Sequence, residues 1–390
     1  MVLEIKNARI VSPGWEISRG AIRCAEGRIE EVGSALGDVV AERERIDATG
    51  LTALPGFIDI HTHGRSGHDF CDATDAAFDA MGRDRLQDGV TGFLATTLTQ
   101  PEATLAQVCR CAEAYKARGE GATCLGMHLE GPFFPAACAG AQNPAYLADP
   151  DIGLVDRLQA ISPVKKVSFA PELPGAEAFT RALVARGIVA SGGHSKADHA
   201  CFQRVRAAGL THLTHFCNVM TPIHHYTDFG MVGGGLMADE VYVEMICDGV
   251  HLLDPMIALI ARVKGPEKMM LITDSMRAAG CPDGDYSIGG LPVKVVGGCA
   301  RLANPDGTLG AVAGSTLRYY KGLQRLVRVT GWPLHEAVRT TSLNQCVSLG
   351  IPDRGRIEKG CVADIVLVDD DLVPQMTIVS GEVKWKRSAA

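Results

Sequence analysis

Eight apolar strand-like runs recur between residues 56 and 273, and their number constrains the fold more than any other feature of this chain. They are Gly56–Ile60, Gly92–Thr96, Cys124–Leu129, Lys166–Ala170, Gly187–Ser191, His212–Phe216, Val241–Cys247 and Met269–Thr273. Helical patterns lie between most of them, as over Pro101–Ala117, Glu177–Ala185 and His199–Ala208. Eight β/α repeats are the count of a (β/α)8 TIM-like barrel, an α/β fold whose functional side chains gather where the strands end. At 390 residues the chain is long enough for one such barrel plus a minor domain.

The two ends have a different texture. Leu3–Lys6, Ala8–Val11, Gly20–Cys24 and Arg28–Val32 read as short strands between Gly, Pro and Ser turn signals. Asp364–Val368 reads as another, and Met376–Trp385 as a hairpin turning at Gly381. These segments predict a small β-sandwich domain from residues 1–52 and 355–390, with the barrel over 53–354.

The polar residues sit at the predicted strand ends. Strand 1 ends in His61 and His63, which alternation turns to the same face. Strand 3 ends in His128 and Glu130, strand 5 leads to His194, and strand 6 to His215 with Asn218 just beyond. Strand 7 leads to Asp248 and His251, and strand 8 to Asp274. Six of the twelve histidines therefore lie at or just past strand ends, where chance would scatter them.

His61, His63, Glu130, His194, His215 and Asp274 form a ligand set for one or two divalent ions, zinc or iron. Glu130 is placed to bridge two ions. Such a site activates water near neutral pH and polarises a carbonyl. Asp274 is the natural proton shuttle between water and a leaving nitrogen, and His251 a hydrogen-bond donor to a carbonyl oxygen as charge develops there. His128 is left out of the ligand set, since it can serve by packing alone. Asp248 is either functional or a turn former for His251. No Gly-x-Ser-x-Gly nucleophile elbow is present.

Composition closes off other classes. The net charge, 38 − 45 = −7, argues against nucleic acid as a partner. No apolar run approaches the 18 or so residues of a membrane span. The N-terminus lacks a signal-peptide core. Thirteen scattered cysteines without a Cys-x-x-Cys pair suggest reduced thiols and a cytoplasmic setting.

Several motifs give the chain a family likeness. They include Pro-Gly-Phe-Ile-Asp-Ile-His-Thr-His-Gly at 55–64, Gly-Met-His-Leu-Glu-Gly-Pro at 126–132 and Gly-His-Ser-Lys-Ala at 193–197. Thr-His-Phe-Cys-Asn-Val-Met at 214–220, Asp-Gly-Val-His at 248–251, Leu-Ile-Thr-Asp at 271–274 and Ala-Gly-Ser-Thr-Leu at 313–317 follow. With Gly-Arg-Ile-Glu-Lys-Gly-Cys-Val-Ala-Asp-Ile-Val at 355–366, the chain resembles the N-acetylglucosamine-6-phosphate deacetylase family of the amidohydrolase superfamily. The resemblance implies a metal-dependent deacetylase acting on a small N-acetylated amino sugar, in a homodimer. It implies Glu130, His194 and His215 as principal ligands and His61 with His63 as holders of a second ion. Asp274 matches the acid/base and His251 the residue that holds substrate. Asn218 and Val219 match the sugar contact, and Val312, Ala313 and Gly314 the loop over the acetyl end.

The chain departs from the family pattern in two places. Ala141-Gln142 stands where the family carries a substrate-contacting histidine after its alanine or threonine. Thr221–Gly230 lacks the family's phosphate-pairing arginine, leaving His224 and His225 as the basic groups there. An alternative reading is therefore a deacylase of a non-phosphorylated or otherwise acidic N-acetylated sugar or amine. Arg277, beside the catalytic aspartate, either binds an acidic part of the substrate or pairs within its loop. A cyclic-amide hydrolase is a further rival, disfavoured because Glu130 stands where many of those enzymes use a modified lysine. A non-catalytic scaffold predicts an incomplete site.

Overall fold

The structure, a computed structural model, describes residues 2–37 and 43–388. Its centre is a parallel eight-stranded sheet, β1 (Phe57–Asp59), β2 (Val90–Thr97), β3 (Thr123–Glu130), β4 (Val164–Phe169), β5 (Val189–Gly192), β6 (His212–Leu213), β7 (Tyr242–Ile246) and β8 (Met269–Ile272). Each strand pairs with the next in sequence, so all eight predicted runs are barrel strands in the expected order. The helices between them are α1 (Asp75–Asp84), α2 (Glu102–Arg118), α3 (Ile152–Gln159), α4 (Ala176–Ala185), α5 (His199–Ala207), α6 (Gly230–Met237) and α7 (Asp254–Lys264), with α8 (Tyr319–Thr330) later in the chain.

The barrel closes without a strand ladder between β8 and β1. Instead Asp274 N–H donates to the carbonyl of His61 at 2.8 Å, and Thr273 Oγ1 donates to Asp59 Oδ2 at 2.6 Å. Closure thus joins two predicted site residues directly. Gly56 permits the entry into β1, because a Cβ there would lie 2.2 Å from Thr91 Oγ1.

Apolar side chains fill the layer between strands and helices, including Phe93, Met127, Val167, Ala190 and Met245. The barrel interior is unusually polar. Asp59, Thr96, His128, Lys166, Ser168, Ser191, Thr214 and Glu244 are all buried. They are kept there by pairing with one another, as buried polar groups must be. His128 contacts Thr96 Oγ1 at 3.2 Å and Ser168 Oγ at 2.8 Å, and Thr214 Oγ1 continues the chain to Ser168 and Ser191.

The termini form the small β domain. Its strands Val2–Ser12, Trp15–Ala25, Arg28–Gly33, Arg43–Asp47, Thr52–Pro55, Ile365–Val368, Pro374–Val379 and Glu382–Lys386 hydrogen-bond as one sheet. It has its own core of Leu3, Ile5, Ile10, Ile22, Ile365 and Ile378. The two runs at Leu3–Lys6 and Ala8–Val11 are one strand, with an irregularity at Asn7, whose φ is +63°.

One element was not anticipated. Between β8 and α8 lies an antiparallel four-stranded sheet, Gly284–Ile288, Leu291–Val296, Cys299–Ala303 and Leu309–Val312. It rests on the barrel mouth through Ile288, Val293, Val295 and Ala300, which pack with Leu98 and Met276.

Candidate active site

The six predicted ligands converge. Nitrogen and oxygen atoms of His61, His63 and Asp274 lie close enough to hold one ion, and those of Glu130, His194 and His215 to hold another. All six residues are buried at the bottom of the barrel mouth. Glu130, from the end of β3, joins the two groups. Its Oε1 lies 3.2 Å from Nε2 of both His61 and His215 and 3.5 Å from Nε2 of His194. Its Oε2 lies 3.2 Å from Nε2 of His63. Asp274 Oδ1 is 3.4 Å from His61 Nε2 and 3.2 Å from His63 Nε2.

This arrangement fits divalent ions. His194 and His215 face each other Nε2 to Nε2 at 3.1 Å, and His61 and His63 at 3.3 Å. Two nitrogens bound at about 2.1 Å to one tetrahedral ion are about 3.4 Å apart. His194 Nδ1 donates to the carbonyl of Cys138 at 2.8 Å, and His61 Nδ1 to Glu244 Oε2 at 2.9 Å. These partners assign the tautomer that turns a lone pair inward from Nε2. The inward lone pairs of His61 and His194 point at Nε2 of His63 and His215, whose Nδ1 atoms have no partner, and a cation between each pair would satisfy all four rings. Glu130 Oε1, buried without a hydrogen-bond donor, has the same need. The imidazoles around Glu130 also set its charge. Burial opposes ionisation, but His61, His194 and His215 outweigh it and hold the carboxyl well below the usual carboxylate range.

The backbone turns sharply to deliver these groups. His194, His215 and Asp274 have φ of +48°, +29° and +47°. Left-handed backbone at non-glycine residues costs about 1–3 kcal/mol each and concentrates at functional sites. The turn at His215 also limits β6 to His212–Leu213, shorter than the predicted His212–Phe216.

The cavity above the ligands is lined by Gly140, Ala141, Gln142, Asn218, Val219 and His251, with Leu98 from the barrel and Ile288, Ala311, Val312 and Gly314 from the added sheet. Leu98, Gly140, Ile288 and Ala311 escaped sequence reasoning because apolar lining carries no chemical signature. His251 Nδ1 contacts Asp248 Oδ2 at 2.7 Å, while Asp248 Oδ1 accepts from the backbone N–H groups of Val250 and His251. Asp248 therefore forms the turn and orients the imidazole at once. Burial opposes charge on His251, but Asp248 raises its pKa above the ordinary imidazole value. The protonated ring thus persists to higher pH and is lost as pH rises through the raised value. Asp248→Asn is expected to move that alkaline limb of kcat/KM to lower pH, which a pH–rate profile checks.

Three candidate substrate residues sit outside the cavity lining, and for Arg277 the second of its two readings holds. Arg277 does not line the cavity. Its guanidinium donates to Asp72 Oδ1 at 2.8 Å and to the carbonyls of Ser287 and Gly67, so it pairs within its loops. His225 is exposed, edge-on to Tyr226 at 4.7 Å, and stands outside the cavity lining. Ala313 is buried beneath its neighbours Val312 and Gly314. Gln142 is at the cavity but is 2% exposed and committed on both sides. It accepts from Thr99 N–H at 2.7 Å and donates to Glu130 Oε2 at 2.6 Å. His128 lies under His61, ring centroids 4.7 Å apart, with both nitrogens occupied.

A barrel of this kind, with these ligands at its mouth, defines a class. Residues 52–384 match the amidohydrolase family, to which the chain belongs. It is 37% identical to N-acetylglucosamine-6-phosphate deacetylase of Bacillus subtilis, covering 98% of this chain and 97% of that one. It is 35% identical to N-acetylgalactosamine-6-phosphate deacetylase of Escherichia coli O157:H7, covering 96% and 97%. A solved deacetylase mutant of Mycobacterium smegmatis, in complex with N-acetyl-D-glucosamine-6-phosphate, is similar with a TM-score of 0.88 and 32% identity, covering 98% and 99%. Within the amidohydrolases, this chain is therefore one of the N-acetylglucosamine-6-phosphate deacetylase family.

Proposed function

We propose that the protein hydrolyses the N-acetyl amide of N-acetylglucosamine 6-phosphate to acetate and the free amine. The carrying observation is the pair of candidate ligand groups joined by Glu130 on the floor of a cavity lined by Asn218, Val219 and His251. One or two divalent ions held there, zinc before iron, supply activation of water and polarisation of the amide carbonyl. Asp274 accepts the proton of the attacking water and returns it to the leaving nitrogen. His251 donates to the carbonyl oxygen, its ring held by Asp248. Asn218 and Val219 bind the sugar, Ala141 and Val312 with Gly314 enclose the acetyl end, and Gln142 acts through Glu130.

The relatives do not favour the alternative of a non-phosphorylated substrate. A screen of N-acetylhexosamines with and without 6-phosphate tests the reading. N-acetylglucosamine 6-phosphate is expected to be turned over best, with N-acetylgalactosamine 6-phosphate as the closest comparison. Equal turnover of the unphosphorylated sugar would sink the assignment.

The domain division, 1–52 with 355–390 against 53–354, belongs to this reading, as does a cytoplasmic setting. All thirteen cysteines are free thiols, nine of them buried. No helix among the described residues is long and apolar enough to cross a membrane. A homodimer is supported by α7, which exposes Met256, Leu259 and Val263 at helical spacing beside exposed Leu253 and Val250. Replacing Met256 and Leu259 by Glu is expected to give monomers by light scattering.

A further inference from the structure

We propose that Glu244 is a positioning residue that fixes His61 as a metal ligand, its other carboxyl oxygen being held by Lys166. The proposal rests on the metal-dependent reading above. Glu244 lies on β7 and Lys166 on β4, and both side chains are 0% exposed inside the barrel. Neither carries a role from sequence reasoning, since both fall in runs that read as apolar strands.

Glu244 makes contacts on three sides. Its Oε2 accepts from His61 Nδ1 at 2.9 Å and from the backbone N–H of His215 at 3.2 Å. Its Oε1 pairs with Lys166 Nζ. Its backbone carbonyl accepts from Phe216 N–H at 2.8 Å. It therefore touches one member of each ligand group, by side chain at His61 and by backbone at His215.

A buried imidazole with a free Nδ1 can carry its proton on either nitrogen. A carboxylate at Nδ1 accepts the proton there and leaves the lone pair on Nε2. That Nε2 is the atom toward which His63 Nε2, Glu130 Oε1 and Asp274 Oδ1 converge, at 3.3, 3.2 and 3.4 Å. The carboxylate also raises the ligand's basicity and locks its ring, effects that outer partners of ligating histidines commonly exert. An unpaired buried carboxylate would be costly, and Lys166 offsets that cost.

The prediction is asymmetric. Glu244→Gln keeps the shape but loses the charge and the single-acceptor preference at Nδ1. Affinity for one ion per chain, the one at His61, His63 and Asp274, is expected to fall by about 10–100-fold. The other ion should bind as before. Zinc titration of the full chain against a chromophoric chelator, with metal analysis, measures both. Circular dichroism and Tm report the fold. The double variant Lys166→Met/Glu244→Gln removes both charges and separates the two roles. If the pair serves only packing, the double variant regains wild-type zinc affinity, and the proposal is overturned. If it positions His61, the affinity stays low although the fold is restored. Wild-type affinity for both ions in Glu244→Gln also overturns it, as does an equal loss of both ions. A wild-type chain that takes up no zinc sinks the metal-dependent reading, and this proposal with it.

Discussion

Replacing Asp274 by Asn is expected to lower kcat by about 10²–10⁴-fold, the usual contribution of a positioned acid/base. Several observations make this a clean test. Asp274 is at the end of β8, held by its N–H to the His61 carbonyl at 2.8 Å and by its carbonyl to Ser315 N–H at 2.7 Å. Its φ of +47° suits Asn almost as well as Asp, so the backbone tolerates the change. The carboxyl is ionised at neutral pH and so is available as the proton acceptor. Burial raises its pKa, but the charges and hydrogen bonds of His61 and His63 outweigh burial and bring it to about 2. An amide of the same shape cannot take that proton. The other five candidate ligands are left unchanged. Steady-state kinetics with metal analysis checks the prediction. A rate within tenfold of wild type, in metal-loaded Asp274→Asn, would remove Asp274 from proton transfer.

The barrel and the convergence of the six candidate ligands were legible because two signals coincided. Each strand is a short apolar run, and each polar residue follows a run at a spacing that barrel geometry alone makes meaningful. His61 and Asp274 lie more than half the chain apart in sequence, yet they are the residues through which the ring closes. The added sheet was missed although its signal was present. Gly289-Gly290 and Gly297-Gly298 flank Leu291–Val296, and all four glycines have positive φ, as tight hairpin turns demand. That stretch alternates buried and exposed positions, but it follows eight completed repeats and so has no place in a barrel count. Arg277 was undecidable from sequence because its partner Asp72 lies 205 positions away. The sequence places Gln142 at the substrate cavity, which it lines, but not its bonds to Thr99 and Glu130, which come from distant positions. Lys166 and Glu244 were hidden for a related reason. A charge inside an apolar run is normally assigned to the solvent face, and only closure of the barrel, which brings β4 and β7 together across its interior, reveals that the two side chains pair within the core.

Glu130→Gln is expected to have the larger effect on metal, because Glu130 alone reaches imidazoles of both ligand groups from a single side chain. Its Oε1 contacts His61, His194 and His215 and its Oε2 contacts His63, so the neutral amide weakens both sites together. The loss should exceed the roughly 100-fold upper range for removing a partner behind the ligands. Turnover should fall with it. The amide also places an N–H₂ against imidazole lone pairs or against Gln142 Nε2, which already donates to Oε2 at 2.6 Å. Metal-free protein gives a second, independent readout. The folded carboxyl is held well below its usual range despite burial, so its interaction with the imidazoles stabilises the fold above the unfolded carboxylate pKa of about 4.3. That contribution fades as pH falls through the depressed folded value. Urea unfolding in the presence of chelator should therefore show Glu130→Gln less stable than wild type at neutral pH. The gap should close only in strong acid. Unchanged zinc affinity at both sites, with wild-type turnover, would show that the ions are held elsewhere and that the convergence of these side chains has another cause.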